Sequence, residues 1–251
     1  MKYQLDAVLT MKTSVLGALN VCALAEKYGA RLVFSSTSEV YGDPTVHPQS
    51  EEYWGNVNPV GPRSCYDEGK RAAETICSDF RRQHGVDVRI ARIFNTYGPR
   101  MAFDDGRVVS NFIVQCLQGQ SLSLYGDGSQ TRSFCFVDDL VRGLIALMEA
   151  DSVNGPVNLG NPHELSVKDL GLHVFRRLNQ EPRFELRSLP EDDPRQRQPD
   201  ISRAKRVLNW EPVVSLEDGL ARTIADFKSR LAKHSTQAQV SHQLDAHSSI
   251  V

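Results

Sequence analysis

The sequence has 251 residues, enough for one substantial core or for one domain with a small second lobe. Its formal net charge is −2, so no overall positive field favours nucleic acid or an anionic membrane. The apolar runs are short, the first residues do not resemble a signal peptide, and the cysteines and histidines show no metal-ligand spacing. We therefore expect a cytoplasmic protein with free thiols, no metal, no membrane segment and no nucleic-acid partner.

The first hundred residues predict alternating helices and strands. Apolar residues recur at helical spacing up to Tyr28, and Gly29 can end that helix. The predicted elements are a helix at about 7–28, a buried strand at 31–36, a Gly- and Pro-rich loop at 42–62, a helix to about residue 84, and a strand at 87–93. This alternation predicts a parallel sheet covered by helices.

The pattern changes after Gly98. A helix is predicted at about 107–119, two short strands about a Gly-rich turn at 122–137, and another helix at 138–150. Ser166 and Ser215 are typical N-caps of two further helices. A charged loop at 190–200 lies between them, and from about residue 232 the polar, aperiodic sequence predicts a disordered tail.

Tyr66 and Lys70 are spaced to share one face of a helix. A lysine ammonium beside a tyrosine favours the phenolate, so we expect the pKa of Tyr66 to fall below its usual value of about 10. Such a tyrosine can exchange a proton with a sugar hydroxyl. Taken alone, this spacing also arises by chance on many helices.

Polar residues follow both early strands. Thr37, Ser38 and Glu39 come directly after the first strand, and the stretch "ARIFNTYGPR" ends the second. In open α/β sheets, ligands bind at the carboxyl ends of the strands. These residues are therefore candidates for a site, although polar residues also end ordinary strands.

Several motifs in a fixed order resemble one family. They are "TSEVYGDP", "NPVGPRSCYDEGKRAAET", "ARIFNTYGPRM", "DGRVVSNFI", "VNLGNP", "DDPRQRQPDI" and "NWEPVV". Between Tyr3 and Phe227 the sequence is similar to the extended short-chain dehydrogenase/reductases that act on nucleotide sugars, and among them to the UDP-glucuronate decarboxylases. This resemblance implies a Rossmann-like α/β fold and NAD as cofactor.

The resemblance also implies roles for particular residues. Those implied as catalytic are Thr37, Glu39, Tyr66, Lys70 and Arg197, with Arg197 holding the substrate carboxylate. Those implied to bind NAD are Thr13, Ser35, Ser36, Tyr66, Lys70, Thr96 and Gly98. Those implied to bind the UDP-sugar are Lys12, Asn95, Arg107, Tyr125 and Arg132. Taken singly, each arginine could instead be an ordinary surface residue in an ion pair.

The implied reaction converts UDP-glucuronate to UDP-xylose. C4 is oxidised, the resulting 4-keto sugar loses its C6 carboxylate as CO₂, and C4 is reduced again with the same NAD. A 4,6-dehydratase or 4-epimerase of another nucleotide sugar is the alternative within enzymes. The family also implies pairing through the two early helices, as a homodimer or with a full-length subunit.

One expected part is missing from the sequence. The family begins with a strand, a glycine-rich turn and a helix, and no GxGxxG or GxxGxxG occurs here. We expect residues 1–100 to form the C-terminal part of an NAD-binding domain and residues 101–231 mainly a smaller α/β substrate lobe, with some segments returning to the sheet. A fragment of a normal enzyme, a non-catalytic short isoform and an assembly partner all fit this pattern, and activity of the chain alone is expected to be impaired.

Overall fold

A computed structural model describes residues 2–189 and 194–248, with side chains described for 3–189 and 194–233. The helices are α1 (Lys2–Leu5), α2 (Ala7–Tyr28), α3 (Ser64–His84), α4 (Val108–Leu117), α5 (Val137–Glu149), α6 (Val167–Leu178), α7 (Ser202–Leu208) and α8 (Leu216–Ser248), with a 3-10 turn at Ser38–Tyr41. The strands are β1 (Leu32–Thr37), β2 (Val88–Ile93), β3 (Thr96–Tyr97), β4 (Leu122–Tyr125), β5 (Thr131–Ser133), β6 (Cys135–Phe136), β7 (Pro156–Leu159), β8 (Glu164–Ser166) and β9 (Phe184–Arg187).

The central sheet is parallel, as the alternation of elements predicted. Its strand order is β1-β2-β7. Thr37 is in register with Ile93, and Ile93 with Leu159, so the three strands end at one edge of the sheet. β7 comes from the second half of the chain, whereas the division into lobes near residue 100 stays a prediction.

Helices cover both faces of this sheet. α2 and α3 pack against each other, and Cys22 and Cys77 are buried between them and the strands. Gly29 ends α2 in the left-handed conformation (φ 60°), which glycine adopts without steric cost. On the opposite face, α5 and α7 bury Leu147 and Trp210 against β2 and β7. All five cysteines are buried free thiols, which confirms that expectation.

The second half has its own core of aromatic and aliphatic side chains, among them Phe112, Leu122, Phe175 and Phe227. The region 122–137 holds three strands, where we expected two. β4 and β5 do not pair with each other: β4 pairs parallel with β9, and β5 antiparallel with β8. Long-range partners therefore replace a local hairpin. Ser166 and Ser215 cap α6 and α8 as predicted, their hydroxyls accepting from backbone N–H groups at 2.9 and 3.1 Å.

The disordered tail expected from about residue 232 stays a prediction, although residues 232–248 are helical in this structure. There α8 continues without a break to Ser248. Residues 220–248 contain neither glycine nor proline, so nothing in the local sequence ends the helix. Residues 249–251 of the tail and 190–193 of the charged loop lie outside the described residues.

The expectation that no segment is long and apolar enough to cross a membrane needs correction. By length and composition alone, α2 meets that condition. One such helix is weak evidence, since helices of soluble proteins pass the same test. One side of α2 packs on α3 in this fold.

Candidate active site

A cleft of about 440 Å³ opens beside the carboxyl ends of β1 and β2. It brings together six of the predicted site residues: Glu39, Asn95, Thr96, Arg107, Tyr125 and Arg132. Other lining residues, including Gln4, Arg63, Asn111, Ser123, Gln130 and Phe134, were not predicted. The parallel register explains the meeting, because it places the loops after β1 and β2 side by side.

Tyr66 and Lys70 lie on the first two turns of α3, next to the end of β1. The Lys70 ammonium donates a hydrogen bond of 2.9 Å to the backbone oxygen of Ser35, and lies 6.0 Å from the centre of the Tyr66 ring. The side chains of Tyr66 and Thr37 are hydrogen-bonded. Three of the predicted catalytic residues are therefore adjacent.

The expected fall in the pKa of Tyr66 is wrong for this structure. Burial raises the pKa of Tyr66, and the hydrogen bond with Thr37 only partly opposes it. Burial also lowers the pKa of Lys70. The lysine is bonded to the Ser35 carbonyl and does not reach the phenol, so desolvation outweighs its charge.

Glu39 is held by two arginines. Arg63 donates from Nη2 to its Oε2 at 2.6 Å, and Arg197 from Nη2 to the same oxygen at 3.4 Å. Burial would raise the pKa of Glu39, but Arg197 and Arg63 outweigh it and hold this pKa at about 2. Glu39 is therefore a carboxylate at every physiological pH.

Arg197 is a buried residue, although its charged loop gave no sign of burial. Only 2% of its side chain is exposed. It donates to the hydroxyl of Ser38 at 3.0 Å and to the backbone oxygen of Gly42 at 2.7 Å. Gly42 has φ 62°, and a Cβ there would lie 1.9 Å from the backbone oxygen of Asn56, so only glycine fits.

Beside Tyr66 and Glu39, sequence reasoning missed Tyr3, Arg63 and Asp67. The Tyr3 ring stacks on the Tyr66 ring with 5.0 Å between centroids. Arg63 lines the cleft, and its Nε lies 3.8 Å from Oδ2 of Asp67, one helical turn on. The four-residue spacing of Arg63 and Asp67 was the available signal.

Other predicted residues lie apart from the cleft. Lys12 and Thr13 are exposed on α2. Ser36 is buried and donates from its hydroxyl to Glu74 at 2.5 Å, which turns it toward α3. Gly98 packs so tightly that a Cβ would lie 2.4 Å from Cγ1 of Val137, which indicates a packing role.

The arginines implied to bind the diphosphate are less buried than Arg197. Arg107 is 53% exposed and forms an ion pair of 2.8 Å with Asp105, and it donates weakly to the backbone oxygen of Thr96 at 3.4 Å. Arg132 donates to the backbone oxygen of Thr131 at 2.7 Å. Both side chains line the cleft, so a diphosphate could recruit them there.

Part of this region fits NAD. Lys70, Tyr66 and Thr37 place a cation and two hydroxyl groups beside a strand end, which suits the ribose and nicotinamide end of a dinucleotide. The backbone N–H cradle for its pyrophosphate would need a glycine-rich turn, and the sequence has none.

Comparison with known proteins identifies the family of the chain. The profile of the NAD dependent epimerase/dehydratase family matches residues 2–160. The chain belongs to the NAD dependent epimerase/dehydratase family. This confirms the predicted family, its Rossmann-like fold and its NAD dependence.

Within the NAD dependent epimerase/dehydratase family, the chain is similar to UDP-glucuronic acid decarboxylases. It is 56% identical to UDP-glucuronic acid decarboxylase 5 of Arabidopsis thaliana over 232 residues, covering 92% of this chain and 68% of the relative. It is 56% identical to UDP-glucuronic acid decarboxylase 1 of Xenopus tropicalis over 229 residues, covering 91% and 54%. The chain thus spans from about half to about two thirds of these relatives.

Two solved structures of nucleotide-sugar epimerases have a similar fold. The UDP-glucose 4-epimerase of Thermotoga maritima with UDP-glucose matches with a TM-score of 0.83 and 30% identity, over 91% of this chain and 74% of that one. The UDP-glucuronic acid 4-epimerase of Bacillus cereus, in complex with UDP-glucuronic acid and NAD, matches with a TM-score of 0.79 and 26% identity, over 87% and 68%.

Proposed function

We propose that this chain carries the catalytic and substrate-binding part of a UDP-glucuronate decarboxylase, which forms UDP-xylose and CO₂. The observation that carries the proposal is the pair of arginines on Glu39, beside the bonded Thr37 and Tyr66. Two guanidinium groups on Glu39 leave a positive excess whenever the neighbouring Asp67 is protonated, and this excess favours a sugar that bears a carboxylate. The similarity to decarboxylases supports the same substrate.

The chain's own residues divide the work. Tyr66, in its phenolate form, takes the proton of the C4 hydroxyl and later returns it, with Thr37 orienting the tyrosine oxygen through their hydrogen bond. Arg63 and Arg197 fix Glu39, and Arg63 meets the C6 carboxylate from the cleft wall. Arg107, Arg132 and Asn95 hold the diphosphate, and Tyr125 lies against the nucleotide.

NAD, when bound, supplies the hydride acceptor and donor at C4. Lys70 would hold its ribose, together with the hydroxyl of Tyr66. Without a glycine-rich turn, we expect NAD to bind weakly to this chain. We expect UDP to bind better, because Asn95, Arg107, Tyr125 and Arg132, which are implied to bind it, all line the cleft.

We also propose that the chain associates through α2. Leu9, Leu16 and Leu24 on this helix are between 52% and 57% exposed, although α2 packs on α3 along its other side. A second copy, or a full-length subunit, would cover these leucines. The buried free thiols support the predicted cytoplasmic location.

Mass spectrometry of reaction products tests the proposed function. The chain, and the chain extended with the glycine-rich N-terminal part of a relative, are incubated with NAD and UDP-glucuronate. We expect a pentose nucleotide and CO₂ from the extended protein and little from the chain alone. Turnover of UDP-glucose or dTDP-glucose without turnover of UDP-glucuronate would instead establish an epimerase or dehydratase.

A further inference from the structure

A buried polar cluster lies between the cleft and Tyr66. We refer to it as the carboxylate cluster, and its members are Tyr3 of α1, Glu39 of the 3-10 turn, Arg63 and Asp67 at the start of α3, and Arg197 of the loop after β9. Glu39 and Arg63 connect it to the cleft, whereas Asp67 lies behind Arg63 and does not line the cleft.

Three buried polar atoms of the cluster have no hydrogen-bond partner among the described residues. They are Oδ1 of Asp67, the hydroxyl of Tyr3 and Nε of Arg197. Asp67 is only 5% exposed, so its unpartnered oxygen is not compensated by bulk water. Its Oδ2 is 3.8 Å from Nε of Arg63, which is an ion pair without a hydrogen bond. An ionised Asp67 is therefore poorly stabilised.

The charges of the cluster decide what it accepts. Glu39 and Asp67, both ionised, balance Arg63 and Arg197 to a net charge of zero. A sugar carboxylate placed against Arg63 would add one negative charge to this largely buried region. Glu39 cannot relieve that excess, because the arginines keep its pKa at about 2. Asp67 can relieve it by taking up a proton.

Resting on the proposed function, we propose that Asp67 takes up one proton when the substrate carboxylate binds at Arg63. Asp67 is then a positioning residue: it acts through Arg63 and makes capture of the acidic sugar depend on pH.

The titration of Asp67 suits this role. Burial raises the pKa of Asp67 to about 7, the charge of Glu39 adds to the rise, and Arg63 and Arg197 oppose it. Glu68, Tyr3 and Tyr66 are its other titratable neighbours, and burial raises the pKa of Tyr66 above its usual range. Glu68 pairs with Arg71 at 3.5 Å, and burial raises the pKa of Tyr3 to about 12, so Tyr3 stays neutral. Asp67 is thus the group of the cluster that changes charge near neutral pH.

Calorimetric titration in buffers of different ionisation enthalpy tests the inference. The 251-residue chain is titrated with UDP-glucuronate and with UDP-glucose, without NAD so that no turnover occurs. We expect uptake of about one proton per UDP-glucuronate at pH 8 and about half a proton at pH 7, from a free-state pKa of about 7. Above pH 8 the affinity should fall about tenfold per pH unit. UDP-glucose should bind without proton uptake.

Two variants locate the proton. Asp67→Asn should bind UDP-glucuronate without proton uptake and with an affinity that no longer falls above pH 8. Asp79→Asn, an exposed aspartate on α3 that pairs with Arg82, is the matched control and should behave as the unmodified chain. Unchanged proton uptake in folded Asp67→Asn would overturn the inference and leave the proposed function standing.

The unmodified chain provides a second test, which does not depend on a variant that folds. Equal proton uptake with UDP-glucose and UDP-glucuronate would place the proton away from the sugar carboxylate and overturn the inference. Equal affinities for UDP-glucuronate and UDP-glucose would overturn the proposed substrate, and this inference with it.

Discussion

Arg63 donates a hydrogen bond of 2.6 Å from Nη2 to Oε2 of Glu39, across 24 residues of sequence. The contact joins the start of α3 to the turn that follows β1. It places a cation in the cleft wall and keeps Glu39 ionised. The position of this acid therefore depends on a residue that the sequence motifs did not single out.

Arg197→Ala should destabilise the fold by about 3 kcal/mol, because removing one partner of a buried ion pair leaves buried acceptors unpaired. Those acceptors are Ser38, Glu39 and the oxygen of Gly42. Urea unfolding measures the loss. Arg195→Ala, an exposed arginine of the same loop, is the control and should change stability by less than about 0.5 kcal/mol. Full stability of Arg197→Ala with lost UDP-glucuronate binding would restore the purely substrate-binding role.

Gly98→Ala should destabilise the chain by about 1–3 kcal/mol, because the new methyl group meets Val137. Gly17→Ala is the control: it lies inside α2 with nothing within 4 Å of the new Cβ, and should stabilise by up to about 1 kcal/mol. Adding Val137→Ala to Gly98→Ala should recover part of the loss. The melting temperatures of the three variants decide whether Gly98 serves packing or contacts the cofactor. Only a packing role predicts that shortening Val137 recovers stability.

Tyr66→Phe should lower kcat by at least about 10²-fold while substrate affinity is retained, because the phenol is the group placed to move the C4 proton. The stacked contact with Tyr3 survives this change, so stability should alter little. The measurement is single-turnover kinetics of the N-terminally extended protein, together with its melting temperature. Tyr53→Phe, a tyrosine hydroxyl bonded to Thr45, is the control. Retained kcat in Tyr66→Phe would remove Tyr66 from proton transfer.

Leu16→Glu combined with Leu24→Glu should prevent association, because charges on the exposed side of α2 cannot be buried against a second chain. Sedimentation velocity measures the result. Val60→Glu and Val213→Glu, at positions that are also largely exposed, serve as controls and should leave the association state unchanged. A monomeric unmodified chain would contradict pairing through α2.

Asp67→Asn should stabilise the chain at pH 8 and change it little at pH 4. Burial lifts the pKa of Asp67 from its usual 3.8 to about 7, so the folded state binds this proton more tightly than the unfolded state. Its contribution to stability is then greatest below about pH 4 and is lost as pH rises to about 7. Asparagine removes that loss. Melting temperatures across pH should show it, at about 2–4 °C per kcal/mol. A difference that is independent of pH would contradict the titration of Asp67.

The local features of this protein were determined by the sequence alone. Periodic apolar residues and Gly29 set α2 to Ala7–Tyr28 as predicted, because a helix is decided by neighbours within four residues. The four-residue spacing of Tyr66 and Lys70 likewise placed both on one helix, and the motif order identified the family. Alternating elements were enough to predict the parallel sheet.

Tertiary structure decided what these local features contact. Lys70 bonds to Ser35, 35 residues away, and so does not act on Tyr66 as the spacing suggested. Arg197 reaches Glu39 across 158 residues and is buried in spite of its charged loop. β4 pairs with β9 and not with its neighbour β5. Burial and long-range pairing depend on the packing of distant segments, and local periodicity carries no information about them.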